Sequence, residues 1–142
     1  MAKRIKAKLS LPQLGWKEDV FLPELHTTAL VAKVDTGARL SALHADDITI
    51  RGSRVSFRIE GSRHVKKLRD TKLIKSSNGQ SELRPVIETV VMLGELRFIA
   101  DITLTNRTDM GVPMLLGREA IKGRFLVNAG RTFILSKKAL KP

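Results

Sequence analysis

The chain has 142 residues, no cysteine, and 26 Lys and Arg against 14 Asp and Glu, for a net charge of +12. That length suits one domain with a core large enough to need no metal or disulfide, and the missing cysteines exclude a disulfide framework, a Cys-based zinc finger and a thiol nucleophile. A hydrophobic share of 42% excludes a disordered chain, and no apolar run reaches the roughly 18 residues of a transmembrane helix.

The basic start, Met1 to Lys8, resembles the charged head of an export signal. Leu9, Leu11 and Leu14 are broken up by Ser10, Pro12 and Gln13, however, so a cytoplasmic location is expected and no membrane partner. Val20-Phe21-Leu22, closed by Pro23, reads as a short strand, and Ala29 to Val34 as a second. Ala42 to Asp47 reads as a short helix. Val55, Phe57 and Ile59 alternate with Ser56 and Arg58, the period of a half-buried strand. Asn78-Gly79 predicts a type I′ hairpin, which needs positive φ at both residues. Val86–Leu93 and Leu96–Leu104 read as two strands facing each other across Gly94-Glu95, with Leu96, Phe98, Ala100, Ile102 and Leu104 on one face. A polar loop follows from Asn106 to Gly111, then one or two helical turns over Arg118 to Lys122 and an edge strand at Phe133-Ile134-Leu135. The ends, about 1–12 and 136–142, are basic and expected to be solvated, flanking one domain over 1–142. Many short strands with little helix predict an all-β barrel or sandwich.

Charge is uneven. Nine basic residues between Arg51 and Lys75 face only Glu60 and Asp70 in that stretch, directly before the Asn78-Gly79 turn. Such an excess of positive charge suits an anionic partner, such as nucleic acid, an acidic peptide or a membrane surface, without choosing among them. Aromatics make up only 4% of the chain, which disfavours a nucleic-acid module that stacks bases.

The tetrapeptide Asp35-Thr36-Gly37-Ala38 follows the apolar run Leu30-Val31-Ala32-Lys33-Val34. Further on, Val112-Pro113-Met114-Leu115-Leu116-Gly117-Arg118 is an apolar strand running into Gly-Arg and a short helix. In this order the elements resemble the retropepsin-like aspartic proteases over roughly residues 14 to 135. The run Lys33 to Ala45, with Ser76-Ser77-Asn78-Gly79 and Leu115-Leu116-Gly117-Arg118, resembles a bacterial branch often labelled "ATP-dependent zinc protease" and associated with glutamate ligases that modify ribosomal proteins.

The resemblance implies a small closed β-barrel with one short helix, a catalytic Asp35 scaffolded by Thr36 and Gly37, and a flap around Asn78 and Gly79. Only one Asp-Thr-Gly is present, so a dyad implies a homodimer with one Asp35 from each chain. Asp46, Asp47, Asp101 and Asp109 lack that context. Viral members place an acidic residue after Asp-Thr-Gly-Ala, paired with the Arg of Gly-Arg; here Arg39 stands there beside Arg118. Ala38, Arg39 and Arg118 are therefore expected to line the substrate site, the two guanidiniums holding a substrate carboxylate of an acidic or glutamate-bearing peptide. The alternative is that they pair with Glu119, Asp46 or Asp47. No H-E-x-x-H is present, His26, His44 and His64 lack ligand spacing, and no phosphate loop occurs, so no metal or other cofactor is expected. The competing functions are a non-catalytic binding domain of the same fold and a basic nucleic-acid-binding module.

Overall fold

The computed structural model describes residues 10–75 and 78–139, with side chains to residue 136. Ser76, Ser77 and the outer parts of both basic termini lie outside the described residues.

Twelve strands account for just over half of the described residues. Six of them close a ring. β2 (Lys17–Phe21) pairs with β3 (Leu30–Val34), β3 with β11 (Met114–Leu116), and β11 with β4 (Ser41–His44). The circuit then runs through β10 (Leu96–Thr105) and β9 (Ser81–Leu93) back to β2. The fold is thus the expected small closed all-β barrel. Alternation fills it: Leu30 and Ala32 on β3, Met114 and Leu116 on β11, Ile102 and Leu104 on β10 and Ile87 and Val91 on β9 all point into one buried core. β8 (Asp70–Lys75) adds to the outer half of β9, and β5 (Asp46–Arg51), β6 (Arg54–Ile59) and β7 (Ser62–Lys67) make a separate antiparallel sheet. β1 (Gln13–Gly15) pairs in parallel with β12 (Leu126–Asn128).

The strand read at 29–34 is present as Leu30–Val34, and those read at 55–59 and around Gly94-Glu95 are present too. Four other expectations are corrected. Ser41–His44 is a strand held between β10 and β11, and β5 begins at Asp46, so no helix covers 42–47. The β8–β9 turn is longer than a two-residue hairpin, because Lys75 pairs with Ser81 and only Gly79, not Asn78, has positive φ. Among the described residues two α-helices are present rather than one: α1 (Arg118–Ile121) and α2 (Ile134–Ala139). Phe133–Leu135 is therefore no edge strand; it leads into α2, whose Ser136 is buried.

The cap of α2 explains that last difference. Fully buried Glu18 on β2 accepts hydrogen bonds from the backbone N–H groups of Ile134, Leu135 and Ser136 and from the Ser136 hydroxyl. It also accepts from the N–H of Gly15 at 2.7 Å. A helix start leaves such N–H groups unpaired, and a carboxylate there also meets the positive end of the helix. Among the described residues no helix is long and apolar enough to cross a membrane.

Candidate active site

β11 lies between β3 and β4, parallel to the first and antiparallel to the second. This insertion brings Asp35, just past β3, beside the end of β11: the Asp35 N–H donates to the Leu116 carbonyl at 2.8 Å. The chain beyond Asp35 is then fastened from both sides. Arg118 N–H donates to Ala38 O at 2.8 Å, Glu119 N–H to Arg39 O at 3.0 Å, and Gly117 N–H to the Ser41 hydroxyl at 3.0 Å. Gly117 is required by proximity, since a Cβ there would lie 2.5 Å from the Leu40 carbonyl carbon.

Within the turn, Gly37 N–H donates to Asp35 Oδ1 at 3.1 Å, and Ala38 N–H donates to the Asp35 carbonyl at 3.2 Å. An Asp that binds the backbone two residues on is the expected chemistry of an Asp-x-Gly turn, and it fixes the carboxylate direction. Thr36 and Gly37 are exposed and Ala38 is half-buried. The Arg118 guanidinium folds back over this turn, its Nη1 donating to the carbonyls of Thr36 at 2.9 Å and Gly37 at 3.2 Å. Arg118 thus braces the loop. Arg39 points the other way and lies 3.6 Å from Glu119, with both side chains about half exposed (53% and 54%). That is the pairing the alternative reading foresaw for Arg39, and an exposed pair of this kind holds only weakly.

Asn78 and Gly79 lie on the β8–β9 hairpin. There Asn78 lines a groove of about 490 Å³ with Glu82, Arg84, Arg107 and Asp109, between the hairpin and the 106–109 loop. Arg84 is buried and bonds Glu82 at 2.8 Å, while the Thr105 hydroxyl donates to the same carboxylate. The hydrogen bond from Arg107 holds the Asp109 carboxyl below its ordinary range, and the same bond raises Arg107. The remaining candidate carboxylates face bases elsewhere: Asp101 meets Arg69 at 2.9 Å, Asp47 meets Arg58 at 3.2 Å, and Asp46 lies 3.5 Å from His44. Among the described residues no three His, Asp or Glu side chains gather as a metal site.

Two residues near Asp35 escaped the sequence reading. Leu30 and Ala32 point inward, so Lys33 is exposed on the outer face, the one on which the alternation also places Asp35. Register sets Lys17 of β2 and Leu115 of β11 directly beside Lys33 on that face. Opposed like charges repel, and among the described residues neither lysine has an ion-pair partner. The signal was there to find, because an apolar-polar alternation ending in Lys33-Val34-Asp35 sets the cation and the acid on one face.

Residues 13–138 match a family described as RimB-like, retropepsin-like aspartic endopeptidase RimB. A Shewanella pealeana protein named Probable alpha-L-glutamate ligase is 41% identical over a match that covers 88% of this chain and 30% of that protein. A Desulfotalea psychrophila protein of the same name is 36% identical, covering 81% and 27%. The chain therefore spans less than a third of these curated relatives. A crystal structure of a Legionella pneumophila protein described as of unknown function superposes with a TM-score of 0.70 at 28% identity, over 89% of this chain and 99% of that one. The chain belongs to the RimB-like family of retropepsin-like aspartic endopeptidases.

Proposed function

We propose that this family member is an aspartic endopeptidase whose active form is a homodimer, one Asp35 from each chain making the catalytic pair. The observation that carries this is the way the Asp35 loop is built. Two strands, the Gly117 contact and the Arg118 brace all act to aim one carboxylate, whose hydrogen bond comes from its own turn. The other aspartates considered are engaged with bases elsewhere, so the second acid is assigned to a second chain.

Two carboxyl groups about 3 Å apart share one proton, because both cannot ionise at that separation. The ionised one takes a proton from water, whose oxygen adds to the peptide carbonyl carbon. The protonated one gives its proton to the carbonyl oxygen. The C–N bond then breaks as the nitrogen takes up the proton first removed from water, and the diol returns a proton to the second carboxyl. No metal or other cofactor enters the sequence of steps.

The preferred substrate in this reading is an acidic or glutamate-bearing peptide. Lys33 and Lys17 support it, as unneutralised cations on the outer face with Asp35. So does the occurrence of this chain's counterpart within proteins named as glutamate ligases, where peptides rich in glutamate would be at hand. Arg118, occupied by the loop carbonyls, is given the positioning role in place of substrate binding.

The test is digestion of a peptide library containing acidic and neutral members, with wild type beside Asp35→Asn and Lys33→Met. Cleavage that vanishes in Asp35→Asn supports the aspartic mechanism, and cleavage that survives contradicts it. In Lys33→Met, the preference for acidic over neutral peptides, taken as the ratio of kcat/KM values, is expected to fall about tenfold.

A further inference from the structure

β5, β6 and β7 pair only with one another, outside the barrel ring. β4 runs away from Asp35 before it reaches them, since Ser41 lies beside Gly117 while His44 bonds Pro113 at the far end of β11. The inner face of this sheet carries Val55, Phe57 and Ile59 into the core. Alternation therefore turns Arg54, Ser56 and Arg58 outward, and register sets Thr49 and Arg51 beside them on β5 and Arg63, Val65 and Lys67 on β7.

Three pairs of cations stand directly opposite one another on that outer face: Arg51 with Arg54, Arg54 with Lys67, and Arg58 with Arg63. Opposed like charges on adjacent strands destabilise a sheet. Arg58 alone is relieved, by Asp47 at 3.2 Å. Among the described residues Arg51, Arg54, Arg63 and Lys67 form no ion pair; the three arginines border an open trough of about 470 Å³ with Thr49, Ser56 and Val65, where Arg63 donates to the Ser56 hydroxyl at 2.6 Å.

We propose that this face binds the sugar-phosphate backbone of a double-helical nucleic acid, independently of the peptidase reading. Four cations without carboxylates spread over three strands: Arg51, Arg54 and Lys67 stand side by side, about 4.8 Å apart across the sheet, and Arg63 lies about 13 Å along β7 from Lys67. That is a two-dimensional array; an extended acidic peptide would meet one row of it, whereas a duplex presents phosphates from two chains. Guanidiniums bind phosphate by paired hydrogen bonds, and the hydroxyls of Ser56 and Thr49 add donors of the kind that contact phosphate oxygens. The face has no aromatic residue for stacking single-stranded bases, so the contact carries no sequence reading.

The experiment is fluorescence anisotropy of a labelled 20-base-pair DNA duplex with the full chain between 50 and 200 mM salt. Three proteins are compared: wild type, Arg51→Ala/Arg54→Ala, and a control that loses the same charge at exposed Lys122 and Arg131. Thermal melts confirm that each is folded. With four phosphate contacts, wild-type affinity should fall about 100-fold across that salt range, and the first double variant should show a log–log salt slope roughly half as steep. The control should keep the wild-type slope. The proposal is overturned by no binding at 50 mM salt, by equal losses in both double variants, or by tighter binding of a polyglutamate peptide that Arg51→Ala/Arg54→Ala abolishes.

Discussion

The Asp35 loop and the basic sheet of β5 to β7 both present charge to solvent, yet they are built in opposite ways. Around Asp35 the structure places strand-to-strand bonds from β11, an Asp–Gly turn, a glycine without room for a Cβ and an arginine bonded to two loop carbonyls. On the basic sheet the cations ride on an antiparallel ladder whose register shifts between Asp46 and Thr49, most of them with no carboxylate to hold them. A reacting carboxylate must be held within a fraction of an ångström, whereas a polyanion asks only for the right sign over an area. The two proposed roles match this contrast, with rigidity where a reacting group would need exact placement and repulsion where only the sign of charge is asked.

The sharpest way to break this contrast is at Gly117. Gly117→Ala forces a Cβ to 2.5 Å from the Leu40 carbonyl carbon, against backbone that cannot rotate aside. It should cost about 3 kcal/mol, lowering Tm by about 10 °C in a thermal melt and removing peptide cleavage. Arg118→Met removes the brace and leaves the backbone contacts. The expected loss of stability is about 1–2 kcal/mol by urea titration, with cleavage falling at least about tenfold, so activity suffers out of proportion to folding. The opposite sign is expected on the basic sheet. Arg54→Thr removes two opposed like-charge pairs and places a β-branched residue in a strand, so the urea midpoint should rise by the equivalent of about 0.5 kcal/mol.

The smallest effect concerns pH. Burial, and then the nearby His26 ring, lower the His64 pKa below its ordinary 6.5. A lowered folded value means that the unfolded chain binds the extra proton first, so this contribution to stability is complete above pH 6.5 and declines as pH falls through 6.5. Thermal melts from pH 7.5 to 5 should show that decline, and His64→Phe should flatten it.

Much of the strand structure was legible because alternation of apolar and polar residues is local. The strand at 55–59, the hairpin around Gly94 and the run into Asp35 needed nothing from elsewhere in the chain. The misses have a common physical cause. Phe133-Ile134-Leu135 is apolar enough to read as a strand, and what makes a helix start there is Glu18, over a hundred residues earlier. Ala42 to Asp47 carries helix formers, but two neighbouring strands claim its backbone. Asn78 tolerates a left-handed turn, yet among the described residues of that connection positive φ falls at Gly79 and not at Asn78. At the site, residue types were readable and directions were not. Arg39 and Arg118 stand for the same chemistry in sequence, but one meets Glu119 and the other the loop carbonyls. Lys33 was visible throughout, and only its register opposite Lys17 gave it meaning.

The central claim is that one catalytic site needs an Asp35 from each of two chains. It is tested most directly by adding Asp35→Asn protein to a fixed amount of wild type, at concentrations where the chains are dimeric and exchange. If both carboxylates are needed, mixed dimers are inactive, and an equimolar addition should cut cleavage of an acidic peptide to about half, with a further fall as more is added. Cleavage that stays constant through the titration would mean that one chain carries a complete site, and would contradict the account.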